Sequence, residues 1–202
     1  MIATRKHLHT GLLLIAACSL SACLKSNPPV TSQRFSLPEV SAQPAAPQST
    51  SAAKQTLVLN RIQLADYLDT DRIVVQLDDV TLHPARDHLW VDNLSQELHR
   101  GLRARLASRL PDTVITDPLP GAAPSATSLQ LTIDQFHGQI NGYAILSGQW
   151  QLLSAERKPL QSQSFKFSTP LAESGYPALV RALGSNLDLL SAQIAGQLPH
   201  TH

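Results

Sequence analysis

"RIVVQLDDVTLHPARDHLWVDNLSQELHRGLRARLASRLP", residues 72–111, changes its period partway along. The first half crowds Ile73, Val74, Val75, Leu89 and Trp90, β-branched and aromatic residues that favour extended chain. Residues 72–83 and 88–91 are therefore expected to form a hairpin pair around Pro84-Ala85-Arg86-Asp87. From Leu94 the pattern switches, with leucine at every fourth position: Leu94, Leu98, Leu102, Leu106 and Leu110. That is one buried face of a helix, with Asp92 or Asn93 placed to cap its start and Pro111 to stop it.

The same two signals extend outward. Upstream, "TLVLNRIQL" from Thr56 alternates as a strand. Downstream, Val114 and Ile115 make a strand fragment before a Pro- and Gly-rich loop. Leu129, Leu131 and Ile133 then share one face of the first of two long strands, turning near Asn141-Gly142, a strong hairpin signal. "PLQSQSFKFSTPL" adds another strand. Tyr176, Leu179, Leu183, Leu187, Leu190, Ile194 and Leu198 close the chain with a long helix. Strands, helix, strands, helix predict an α+β fold: a single domain over residues 56–202, with two long helices packed on one face of a mainly antiparallel sheet.

The first 22 residues have a different plan. Arg5 and Lys6 form a positive n-region, Gly11 to Ala17 is apolar, and small residues follow, as in a secretory signal peptide. Leu20-Ser21-Ala22-Cys23 resembles the lipobox of bacterial lipoproteins, whose cysteine is acylated and becomes residue one after cleavage. Ile15-Ala16-Ala17-Cys18 is a weaker candidate, because it leaves a shorter apolar stretch. Cys23 is thus the expected lipidation site, and a disulfide is not expected because its sole partner leaves with the leader. Residues 23–55 are rich in Pro, Ala, Ser and Gln and read as a tether that spans ~30 Å as a coil and about three times that when extended. A short strand is expected within it at "RFSLP", residues 34–38.

Composition narrows the function. The chain has 202 residues, 43% of them hydrophobic and 15% charged, which fits a globular domain. Its 16 Lys and Arg nearly balance 15 Asp and Glu, and no basic run points to nucleic acid. No two of the eight histidines lie at the i, i+4 helical spacing of a zinc pair, so no metal and no cofactor are expected. Asp66, Asp69 and Asp71 lack the glycine and distal glutamate of a calcium loop. No Gly-rich phosphate loop and no G-x-S-x-G elbow is present, so no catalytic residue is assigned and an enzyme is not expected.

Two features point toward a binding surface. Tyr67, Leu68 and Asp69 lie between predicted strands, where an aromatic and a leucine suit partner docking; the alternative is that Tyr67 and Leu68 fold back onto the sheet edge. Arg100, Arg103, Arg105 and Arg109 crowd the end of the first helix. Arg100 and Arg103 are candidates to meet a partner, although cations there also complement the helix dipole.

Residues 62–106 resemble the ABC-type transport auxiliary lipoprotein family, the PqiC-like, MCE-associated lipoproteins. Ile62, Leu64, Tyr67, Leu68, Asp69, Ile73, Val74 and Trp90 match its pattern, and "RFSLP" resembles its short first strand. Ala65, Thr70 and Asp71 depart from it, where proline, arginine and proline are usual. The resemblance implies a non-enzymatic docking component of an envelope phospholipid-transport system that supports membrane integrity. Its partners would be an MCE-domain protein and the associated inner-membrane components. Self-association is left open. It also implies a lipid anchor in the outer membrane on the periplasmic face, with which the absence of aspartate after Cys23 agrees. A structural or assembly lipoprotein of the envelope is the alternative; a periplasmic hydrolase is a weaker one.

Overall fold

The computed structural model describes residues 31–39, 55–119 and 126–198. The leader, Cys23 and most of the expected tether lie outside the described residues. Those that are described form nine strands and two α-helices: β1 (Gln33–Phe35), β2 (Gln55–Leu59), β3 (Gln63–Leu64), β4 (Arg72–Gln76), β5 (Leu82–Trp90), α1 (Leu94–Arg109), β6 (Thr113–Thr116), β7 (Thr127–Gln139), β8 (Tyr143–Leu153), β9 (Pro159–Pro170) and α2 (Tyr176–Gln197).

Local chemistry sets the helix limits. Asn93 caps α1, its side chain accepting the Ser95 amide at 3.0 Å, and the helix ends at Leu110 just before Pro111. Leu98, Leu102 and Leu106 are fully buried, as the four-residue spacing requires. Gly175, at φ +109°, starts α2, with Pro177 in its first turn. At the β7–β8 turn Gly142 takes φ +86°, the left-handed conformation that a short hairpin loop requires.

The strands build one mixed sheet that is mostly parallel, not mainly antiparallel as the sequence predicts. Five of its eight strand pairings are parallel: β1 with β5, β2 with β6, and β2, β3 and β4 each with β7. Three are antiparallel: β4 with β5, β7 with β8, and β8 with β9. The reason is the connection through α1. It carries the chain from β5 back across the sheet, so that β6 and then β7 run alongside β2 in the same direction. A reading that pairs sequence neighbours through hairpins misses such crossovers.

A second correction concerns the β4–β5 hairpin. Its turn lies at residues 77–81, where Leu77 N–H donates to Thr81 at 2.9 Å and the Asp78 carboxylate accepts the amides of Val80 and Thr81 at 2.9 and 2.7 Å. Pro84 to Asp87 are strand residues instead. Pro84 is tolerated in β5 because β1 pairs only with His88 to Trp90, leaving the Pro84 part of that edge unpaired.

The apolar core includes Trp90, Trp150, Phe136, Leu129 and the inward leucines of both helices. Helix α2 lies against β7, β8 and β9, while α1 packs on α2 and β6. No helix among the described residues is long and apolar enough to cross a membrane.

Candidate docking site

β2, β3 and β4 follow one another along a single edge of β7, opposite Thr127, Thr132 and Gly138 in turn. From Gln63 to Val75 the chain advances twice as many residues as β7 does between their partners, Thr132 and Gly138. The surplus is extruded as Ala65–Asp71, built on a single 3-10 turn at Asp66–Leu68. This excursion carries three of the residues picked out by sequence.

The turn divides them. Leu68 is 1% exposed and belongs to the core. Tyr67 is half-buried, and its hydroxyl donates to the Asp134 carbonyl at 3.0 Å, where the β7–β8 ladder shifts register. Its ring tilts against His137 at 6.4 Å. Burial pushes the phenol up to about 12, with the Asp134 charge adding to it. Asp69 is exposed, directly after the anchored pair.

The start of α1 meets this excursion. Asp69, Thr70 and Asp71 line a cleft of about 400 Å³ together with Arg34, Trp90 and Asp92. Arg100 reaches Asp92 at 2.8 Å and Glu97 at 2.6 Å, and the Asp92 hydrogen bond is the main reason its pKa is raised. The structure thus brings Asp69 and, through Asp92, Arg100 to one rim. Arg103 stands apart, paired with Asp117 at 3.3 Å beyond the end of β6. The rim is an array of carboxylates flanked by guanidinium groups, suited to polar recognition. No group of three or more His, Cys, Asp or Glu among the described residues is placed to hold a metal ion.

Sequence reasoning missed the burial of two charged residues that hold residues 36–38 in place. Glu97 and Arg105 are both 3% exposed. Glu97 accepts from Ser36 Oγ at 3.1 Å and Leu37 N at 3.3 Å; Arg105 donates to the Pro38 carbonyl at 3.1 Å and to Asp188 at 2.6 Å. Between them Gly101 leaves room, since a Cβ there would stand 2.9 Å from a Leu187 methyl. Gly184 does the same beneath Pro38. Phe35 stacks with His88, which stacks on Tyr176 at 3.8 Å. Residues 35–38, within the expected tether, are therefore clamped between two helices. Buried charges of this kind persist only when paired and hydrogen-bonded. The available signal was the spacing Glu97, Gly101, Arg105, one stripe beside the leucines.

Comparison with known proteins agrees with this fold. Residues 35–195 match the family described as ABC-type transport auxiliary lipoprotein component. The chain is 28% identical over 187 residues, 93% of its length and 96% of the relative's, to the intermembrane transport lipoprotein PqiC of Escherichia coli (strain K12), and equally to that of Shigella flexneri. An uncharacterized protein of known crystal structure matches with a TM-score of 0.71 and 26% identity, over 84% of this chain and 99% of its own. A Xanthomonas campestris protein shares the fold at a TM-score of 0.64 and 18% identity, over 81% of this chain and 93% of its own.

Proposed function

This chain belongs to the ABC-type transport auxiliary lipoprotein family, and on that footing we propose that it is a lipid-anchored docking component of an MCE-type intermembrane phospholipid transport system. The reading places it on the periplasmic face of the outer membrane, held by acylated Cys23, with no bond made or broken. The observation that carries it is the likeness to an intermembrane transport lipoprotein along 93% of the chain, which includes the cleft-forming segments. The rim of Asp69, Asp92 and Arg100 is then the surface that meets the MCE-domain partner, with Tyr67 holding the excursion in place and Arg103 extending the surface along α1. Loops fixed on a rigid scaffold suit such a role.

The test is co-purification. The detergent-solubilised lipoprotein should bring down an MCE-domain protein, and Asp69→Lys with Asp92→Lys should abolish this while leaving thermal unfolding nearly unchanged. Recovery of no MCE-domain protein with the unmutated chain would refute the transport role. Palmitate labelling should vanish in Cys23→Ser and persist in Cys18→Ser.

A further inference from the structure

One end of the sheet carries apolar side chains that the core does not use. Val80 is 85% exposed and Ile140 71%, with Leu77, Leu82 and Tyr143 exposed around them. They come from two adjacent turns, β4–β5 and β7–β8. Ile140 N–H donates to the Gln76 carbonyl at 2.9 Å, and the side chains of Gln76 and Gln139 bond at 2.9 Å, so the turns are locked side by side. A contiguous group of exposed large apolar residues on a soluble domain marks a contact surface.

The chain's own path says what covers it. β1 runs parallel to β5, with Gln33 opposite His88, so the N-terminal end of β1 faces the tip end of the sheet. Leu82, at the tip end of β5, is six residues from His88, about 20 Å along the strand. Nine residues separate Cys23 from Gln33, ten steps of chain that span at most about 36 Å. The clamped β1 segment thus shortens the effective leash from the whole of residues 23–55 to its first ten residues. An anchor at Cys23 keeps the bilayer surface within reach of the tip.

We propose that the Val80–Ile140 tip seats on the surface of a zwitterionic phospholipid bilayer. This rests on Cys23 being the lipid anchor. The tip penetrates no deeper than the headgroup boundary, because Asp78 and Asp79 sit on it. The Asp78 carboxylate is held below the usual range by the Val80 amide and by the Thr81 side chain and amide, and so stays charged. Tyr143, an apolar ring with a polar edge, suits that depth, and Val80 and Ile140 add apolar area at the boundary. The same two carboxylates make an anionic bilayer the poorer surface.

The mature lipoprotein is reconstituted through its own anchor into vesicles of phosphatidylcholine and phosphatidylethanolamine. An environment-sensitive fluorophore is attached at Val80→Cys, or at Glu156→Cys in the β8–β9 turn at the opposite end of the sheet. Doxyl-labelled lipid should quench the probe at position 80 several-fold more than the probe at 156. Adding Ile140→Asp and Leu82→Asp, or a large fraction of phosphatidylglycerol, should bring the two close together. Equal quenching in a chain that floats with the vesicles would overturn the tip and leave the anchor standing. A chain that does not float at all removes both. A fluorescence shift at position 80 that appears without vesicles and grows with protein concentration would assign the tip to a second copy of the chain and also overturn the proposal.

Discussion

The two edges of β7 differ in kind. Along β8 it keeps one antiparallel ladder from Ser128–Leu153 to Gln139–Tyr143, interrupted once, between Ile133 and Gln135. Along the other edge it is matched by three short parallel pieces. The continuous edge commits nearly all its backbone groups to pairing and has nothing to present. The broken edge frees Ala65–Asp71, then pins that segment through Leu68 and Tyr67 so that Asp69 projects from a fixed base. Scaffold and display are thus divided between the two sides of one strand.

The largest test strikes the continuous side. A Cβ on Gly148 would stand 2.0 Å from the Thr132 carbonyl oxygen, a backbone atom that has no room to yield. Gly148→Val should destabilise the domain by more than about 4 kcal/mol, enough to consume much of a typical domain's stability. Circular dichroism melts and trypsin resistance would show it. A variant as stable as the parent would mean that β7 and β8 are not in this register.

Next comes the clamp behind the broken side. Glu97→Ala leaves the Leu37 amide and the Ser36 hydroxyl without their acceptor and frees Arg100 on one side, at a cost of about 1–3 kcal/mol. The sharper readout is local. Amide exchange at Leu37 should accelerate far more than exchange in β8. Uniform acceleration would show that β1 and the rest of the sheet open together.

These residues also show what sequence could and could not reveal. The leucine spacing of α1 and α2, the Asn141-Gly142 turn and the strands flanking it are local patterns, and they were legible. The parallel pairings were not, because β2 meets a strand some seventy residues away and no local pattern encodes that choice. At the site, Tyr67 and Leu68 look alike in sequence, both apolar residues beside aspartates in a loop. Only the length mismatch against β7 turns one inward completely and the other halfway. The burial of Glu97 and Arg105 was not legible because their partner, residues 36–38, sits about sixty residues upstream of α1.

A smaller effect tests the contact between the two sides. His137 lies in β7 beside Tyr67, with Nδ1 3.0 Å from the Gly138 carbonyl, and burial lowers its pKa from 6.5, with nearby Lys166 contributing. The unfolded chain takes up a proton near pH 6.5 and the folded chain does so only at lower pH. Stability is therefore fully present above that value and declines as the pH falls through the folded pKa. The unfolding midpoint should drop between pH 6.5 and about 5, where most carboxylates are still ionised. His137→Gln should flatten that part of the profile. An unchanged slope would mean that the ring is not kept neutral by burial.

The smallest effect separates anchoring from contact at Tyr67. Tyr67→Phe keeps the ring and loses only the hydrogen bond to Asp134, at a cost of about 0.5–1.5 kcal/mol. Tyr67→Ala loses the ring as well, and with it the packing on His137. The phenol adds an independent signature. Because its pKa rises from 10.0 to about 12, the unfolded chain releases that proton first, and stability falls as the pH passes 10. Tyr67→Phe should remove this contribution. If the half-exposed ring touches the proposed MCE-domain partner, Tyr67→Phe binds as the parent does and the folded fraction of Tyr67→Ala binds more weakly. Equal binding by the folded fraction of Tyr67→Ala would reduce Tyr67 to an anchor of the excursion, leaving recognition to the charged rim of Asp69, Asp92 and Arg100.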